Sequence, residues 1–343
     1  MKKLTTMVIA FGCLALITTS CKEKKTENPE VMSASELQQK VDEYAFFDLT
    51  TDISKLSEND KQLIPIFFEI GQIMDDLFWE QTFGDKKILD TIQDKWMKEF
   101  ALINYGAWDR LNDDKPFIPG YGPKPATCHY YPQDLTLEEY EAFQDKNKGS
   151  HYTVLVRNDD GSLKSVWYHE YYKEKIDKVC ELLDKAIGIC ENPSMKKYLT
   201  LRKKALQTDD YFASDMAWMD MKDTKLDFVF GPIENYDDKL NEVKTSYEAF
   251  VLVKDEEASG NLADFVKMLP QLQKELPCDA KYRNYVPGTS SDMNVYDVVF
   301  YGGDCNAGGK TIAINLPNDD NVQAKKGSRR FQLRNAMQAK FDK

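Results

Sequence analysis

The sequence predicts an α+β protein of two lobes, and three observations carry the prediction. Short apolar strands are scattered among long amphipathic helices without regular β-α alternation, which is the pattern of α+β folds. Past the first 34 residues more than 300 remain, too many for one small core. The chain is 42% hydrophobic and 12% aromatic, ample material for burial.

Leu63, Phe67, Ile70, Met74 and Phe78 recur at helical spacing, and Ile88, Ile92, Trp96, Phe100 and Ile103 repeat the pattern beyond Gly84, so an αα-hairpin is expected. A breaker-rich loop follows from Pro116 to Pro132. Tyr152 to Arg157 and Leu163 to Tyr168, joined by Asn158-Asp159-Asp160-Gly161, read as a hairpin. Ile176, Val179, Leu183, Ala186 and Ile187 mark a helix stopped at Asn192-Pro193, and Ser194 is expected to cap the next one, through Leu206. Strands are expected at 226–230, 250–253, 295–301 and 311–316, with a helix at about 262–276, and 321–341 reads as one basic helix.

The N-terminus reads as an export signal. Lys2 and Lys3 precede an apolar run from Met7 to Ile17, far shorter than the roughly 20 residues of a spanning helix. It ends at Thr19-Ser20-Cys21, similar to the lipobox of bacterial lipoproteins, which implies cleavage before Cys21 and lipidation of its thiol. The charged tether Lys22-Glu23-Lys24-Lys25 follows at once. A lipid-anchored protein facing the periplasm or outer membrane is expected. The net charge of -12 argues against a nucleic-acid partner, whose phosphates need cationic neutralisation. Cys128, Cys180, Cys190, Cys278 and Cys305 form no C-x-x-C pair and read chiefly as buried thiols, with one helix-to-loop disulfide left open.

Three motifs mislead. Gly303 to Thr311 looks like a phosphate loop, but Asp304 stands where the motif needs Gly, and a strand rather than a helix follows. His169-Glu170 is half of a zinc helix motif whose second His is replaced by Lys173. The acidic series Asp209, Asp210, Asp215, Asp220 and Asp223 lacks calcium-loop spacing and reads as a solvated face with caps. The basic run Lys325, Lys326, Arg329, Arg330, Arg334 reads as an exposed helix face, or one that pairs internally or meets another lobe.

Several stretches occur in a telling order. They are Thr208-Asp209-Asp210-Tyr211, Ala217-Trp218-Met219-Asp220-Met221-Lys222, Gly231-Pro232-Ile233-Glu234-Asn235-Tyr236, Tyr247-Glu248-Ala249-Phe250, Asp297 to Gly308, Ile314-Asn315-Leu316-Pro317-Asn318, and Gly327-Ser328-Arg329-Arg330 through Met337. Together they resemble the dipeptidyl-peptidase III family of zinc exopeptidases in its bacterial lipoprotein branch, strongly over roughly the last 135 residues and more faintly back to about Glu36.

The resemblance implies a lower lobe built on a small β-barrel and a helical upper lobe that binds zinc. It divides the chain into signal peptide 1–20, lipidated tether 21–34, lower lobe 35–254, a helical segment toward the upper lobe 255–290, returning β-core strands 291–320, and a helix toward the zinc lobe 321–343. It also implies short peptide substrates with a free N-terminus, cut two residues in. By residue, it makes Tyr236 the catalytic side chain that steadies the tetrahedral intermediate. Glu234 helps hold the substrate, Glu248 grips the ammonium, and Asn315 and Asn318 bind the N-terminal end. Glu234 and Glu248 also have a plainer reading as surface carboxylates, and Asn315 and Asn318 as turn residues around Pro317.

The family's two zinc motifs, His-Glu-x-x-Gly-His and Glu-Glu-x-x-x-Asp/Glu, are expected beyond Lys343. The zinc cofactor is therefore implied without ligands in this sequence, and the chain alone is expected to be inactive. Two functions stay open: the substrate-binding portion of a zinc dipeptidyl-peptidase whose catalytic part is separate, or a non-catalytic lipoprotein that binds peptide N-termini for uptake or sensing.

Overall fold

The computed structural model describes residues 32–284 and 292–343. The signal, the lipobox and Cys21 lie outside the described residues. The helices are α1 (Ala34–Asp42), α2 (Glu58–Thr82), α3 (Lys95–Asn104), α4 (Leu137–Ala142), α5 (Tyr168–Tyr171), α6 (Lys173–Ile189), α7 (Pro193–Thr208), α8 (Phe212–Asp220), α9 (Glu256–Glu275), α10 (Ala280–Arg283), α11 (Asp320–Lys326) and α12 (Arg334–Asp342). The strands are β1 (Trp108–Asp109), β2 (Lys115–Pro116), β3 (Thr153–Arg157), β4 (Leu163–Trp167), β5 (Leu226–Glu234), β6 (Ser246–Lys254), β7 (Asp292–Gly303), β8 (Ala313–Leu316) and β9 (Arg329–Leu333). Among the described residues, no helix is long and apolar enough to cross a membrane.

The organising element is a curled five-stranded sheet in the order β5-β6-β7-β9-β8, an open half-barrel. Its pairings are antiparallel except β7 with β9, which run parallel. Helix α2 lies across β6 and β7. Ser57 starts it with a capping box to Asp60, and its face of Leu63, Phe67, Ile70, Met74 and Leu77 is buried. The approach is close because two glycines meet there. A Cβ on Gly71 would fall 2.5 Å from the Phe300 ring, and one on Gly302 would fall 2.7 Å from the Gly71 carbonyl oxygen. At Gly302 the obstacle is the helix backbone itself, so a side chain there would push the helix off the sheet, while at Gly71 one would displace the Phe300 ring. A second, smaller core gathers Leu37, Val41, Trp79, Phe100, Trp108 and Phe117 beside α1 and α3.

The structure corrects several sequence expectations. The second arm of the predicted αα-hairpin is interrupted: Lys86–Thr91 is a 3₁₀ turn, and α3 starts at Lys95 because Asp94 accepts from the N–H groups of Trp96 and Met97. Helix α7 is capped by Asn192, not Ser194, with Pro193 at its first position. The predicted basic helix over 321–341 is three elements, α11, β9 and α12. Arg329 is a fully buried strand residue, ion-paired to Asp227 at 3.1 Å and Asp292 at 3.3 Å and stacked on Trp218. In the acidic series, Asp215 is an inward partner of the buried Arg202, 2.5 Å away. Cys128, Cys180, Cys190 and Cys305 are buried thiols, while Cys278 is exposed.

Candidate substrate-binding site

Strands β5 and β6 and the β7–β8 connection converge on a cavity of about 540 Å³. It is lined by Glu234, Tyr236, Glu248, Asn315 and Asn318, all five residues singled out from sequence, and also by Asp304 and Cys305. Glu234, Tyr236 and Asn318 also border a second cavity of about 620 Å³ that holds the Arg202–Asp215 pair and Trp218.

Glu248 lies near the start of the interior strand β6 and is only 3% exposed. Its direct cross-strand neighbours are Gly231 on β5 and Gly303 on β7. Residues opposite one another share a sheet face, so the carboxyl has no side chain on either flank and looks into the cavity. Burial pushes its proton affinity well above the usual carboxylate range, reinforced by Asp304 and then Glu234, against bonding from Cys305. A carboxyl held this way lacks a cation of its own.

Gly303 makes the geometry next to Glu248. Its φ of +77° is left-handed, and a Cβ there would lie 2.2 Å from the Tyr247 carbonyl oxygen. The chain can therefore turn from β7 directly into the short 3₁₀ segment Asp304–Asn306. Asp75 of α2 fixes this turn, accepting from Gly303 N–H at 3.0 Å and from the Tyr105 hydroxyl. Asn306 donates to the same hydroxyl at 2.6 Å.

Glu234 ends β5 just past a bulge at Pro232/Glu234, which re-aims the strand end toward the cavity. The Asn318 amide donates to Glu234 Oε2 at 3.2 Å and to the Ile233 carbonyl at 3.3 Å. Burial raises the Glu234 carboxyl, while Asn318 and Tyr236 oppose the rise. Tyr236 is 66% exposed, and its hydroxyl pKa is raised, by Glu234 first and by burial second. It therefore presents a protonated donor to the cleft.

The loop carrying Tyr236 is pinned by the next two residues. The buried Asp237 meets Lys124 at 2.5 Å and Arg110 at 3.1 Å. Asp238 accepts from the Tyr131 hydroxyl and from the backbone N–H groups of Leu240, Asn241, Val243 and Lys244, all between 2.8 and 3.1 Å.

Among the described residues strand β8 pairs only with β9, and its other edge has no strand partner. Along it Ile314 and Leu316 point inward while Ala313 and Asn315 are exposed. Asn315 Oδ1 accepts from Arg330 at 3.3 Å. An open edge beside the acidic cavity offers backbone pairing to an extended peptide.

Sequence reasoning gave Asp304 no role in the site, reading it as the residue that spoils a phosphate loop and as part of the Asp297 to Gly308 stretch, and it passed over the paired aspartates behind Tyr236. The available signal was the run Gly302-Gly303-Asp304 at a strand end, where glycines permit a tight turn and a carboxylate follows it. Among the described residues, no three His, Cys, Asp or Glu side chains are placed to hold a metal ion. These residues do not fit the implied zinc.

A model of peptidase family M49 matches residues 144–343, more than half of the chain. The chain belongs to peptidase family M49. It is similar to the solved structure of DPP III from Caldithrix abyssi, at 38% identity and a TM-score of 0.84, covering 89% of this chain and 60% of that one. Dipeptidyl-peptidase III from Corallococcus sp. strain EGB is 31% identical with a TM-score of 0.82, covering 91% and 60%. Nudix hydrolase 3 of Arabidopsis thaliana is 27% identical over 92% of this chain and 48% of its own length. This M49 chain thus spans about half of the curated relative it matches and 60% of each solved structure.

Proposed function

We propose that this chain is the substrate-holding portion of a dipeptidyl-peptidase III-type exopeptidase that releases dipeptides from peptide N-termini, with zinc held by protein outside this sequence. The observation that carries the reading is Glu248, a buried carboxyl flanked by two glycines, facing a cavity beside an open strand edge. Such a site lacks a cation and fits an ammonium. Glu248 and Glu234 hold the α-ammonium, β8 pairs with the peptide backbone, and Asn315 and Asn318 read its first amides. Tyr236 donates to the oxygen on which negative charge develops.

The lobe division also belongs to this reading, with 35–254 and 291–320 in a lower lobe and 255–290 and 321–343 leading to an upper one. What supports it is α9, where Phe265, Met268 and Leu272 stand exposed on a helix whose one buried residue is Ser259, with Leu276 exposed just past its end. A face of this kind calls for a packing partner. The measurement for the site compares a peptide with its N-acetylated form. The free peptide is expected to bind about 10–100-fold more tightly, the worth of a charge-assisted bond. Equal affinity would remove the ammonium role.

Anchoring at Cys21 is part of the same proposal, carried by the lipobox-like Ser20-Cys21 and the charged tether after it. Labelled palmitate is expected in the mature protein and absent after Cys21→Ser. Equal labelling of both would refute the anchor.

A further inference from the structure

We propose that Asp304 is a third carboxyl of this site, completing with Glu248 and Glu234 a cradle for a peptide's α-ammonium and releasing its own proton to water when the ammonium arrives. The inference rests on the reading that the cavity holds peptide N-termini, and extends it to a residue outside the five that sequence singled out.

The geometry is specific. Gly303 pairs with Glu248 across the β6–β7 ladder, and the left-handed turn at Gly303 ends the strand there, so that Asp304 lines the same cavity as Glu248. All three carboxyls line the same cavity. The charged groups around Asp304 come from every neighbouring element. Asp237, Glu234 and Tyr236 approach from the end of β5 and its loop, Glu248 from β6, and Asp75 and Tyr105 from behind the turn. Arg110 and Lys124 are the cations that act on it, and both are already engaged by Asp237. Lys310, in the same connection, donates to the Asn306 carbonyl at 2.6 Å, and Cys305 turns its thiol toward the Gly302 carbonyl at 3.3 Å.

The electrostatics agree with the geometry. Burial, then Asp237 and Glu234, push the Asp304 carboxyl up to about 7, against Arg110 and Lys124. Near neutral pH the empty site keeps a proton there that an incoming ammonium makes unnecessary. The Asp304 O–H bond breaks, its proton goes to water, and the peptide keeps its own charge. Because the folded carboxyl sits above the unfolded value of 3.8, the folded state binds more protons than the unfolded one between that value and about 7. Asp304 therefore lowers wild-type stability as pH rises through this window, and leaves the protein least stable above it.

The test uses calorimetric titration of the full chain with tetra-alanine carrying a ketomethylene in place of its second peptide bond. It is run at pH 6, 7 and 8 in buffers of different ionisation enthalpy. Wild type is expected to release about half a proton more than Asp304→Asn at pH 7, and Asp304→Glu to restore that release. Because Asp304 also raises the Glu248 carboxyl, the pair is compared again in a Glu248→Gln background, where the remaining difference in release belongs to Asp304. Asp304→Asn is also expected to melt about 2 °C or more above wild type at pH 8 and level with it at pH 4. Equal proton release from wild type and Asp304→Asn would overturn the proposal while leaving the Glu248 reading intact. A variant less stable than wild type at both pH values would mark a purely structural carboxylate and overturn it too. If acetylated and free peptides bind wild type alike, both readings fall together.

Discussion

Asp237→Ala is expected to destabilise the protein by about 3–5 kcal/mol, because it removes the carboxylate that two buried cations share and leaves Lys124 only the longer contact to Asp114 at 3.5 Å. Lys124 and Arg110 reach Asp237 at 2.5 and 3.1 Å, and the Lys124 and Asp237 side chains are both nearly inaccessible to solvent. Burial opposes the Asp237 charge, yet Arg110 and Lys124 together outweigh it and hold the carboxyl well below its usual range. A depressed carboxyl contributes stability that is complete above the unfolded value of 3.8 and lost as pH falls through the folded one. The gap between variant and wild type in denaturant unfolding should therefore be full at pH 7 and shrink in strong acid. A loss below about 1 kcal/mol at pH 7 would mean that the cations find water instead. Since Asp237 follows Tyr236 directly, the variant should also loosen the loop that presents the tyrosine.

Glu248→Gln is expected to weaken binding of free-N-terminal peptides by about 10–100-fold while acetylated peptides bind as before. Stability should not fall. The wild-type carboxyl is held above its usual proton affinity, so Gln resembles the state the empty site prefers. This combination separates a binding role from a structural one. A structural carboxylate would lose stability and would affect both peptides alike. Equal weakening of free and acetylated peptides, read by titration calorimetry, would exclude the ammonium clamp.

The sequence made some of this legible and concealed the rest for physical reasons. Helix α2 was visible because its apolar residues keep the helical period without interruption. The β3–β4 hairpin was visible through its Asn158-Asp159-Asp160-Gly161 turn. Strand β9 was hidden: five residues between two helices, beginning with two arginines, look like a solvated helix face. Only the tertiary structure supplies Asp227 and Asp292 to bury Arg329. The second helical arm failed at Asp94, whose capping bonds break a period that the apolar residues continue.

The five candidate site residues were singled out by resemblance, since an isolated Glu or Asn in a strand carries no signal of its own. Their convergence could not be read from spacing, because Glu248 and Asn315 meet only through strand order β6-β7-β9-β8. The setting of Glu248 depends on a register that pairs it with Gly231 and Gly303. Asp304 was in view throughout, but its meaning depends on the left-handed turn at Gly303 that brings it to that carboxyl.

The central claim, that this M49 chain holds the N-terminal end of a peptide, is tested most directly by a crystal structure with a bound uncleaved peptide. The account predicts the α-ammonium within hydrogen-bonding distance of Glu248 and Glu234, the first amides on Asn315 and Asn318, and the backbone paired along the open edge of β8. A peptide lying with its carboxyl end in the acidic cavity, or bound away from β8, would contradict it.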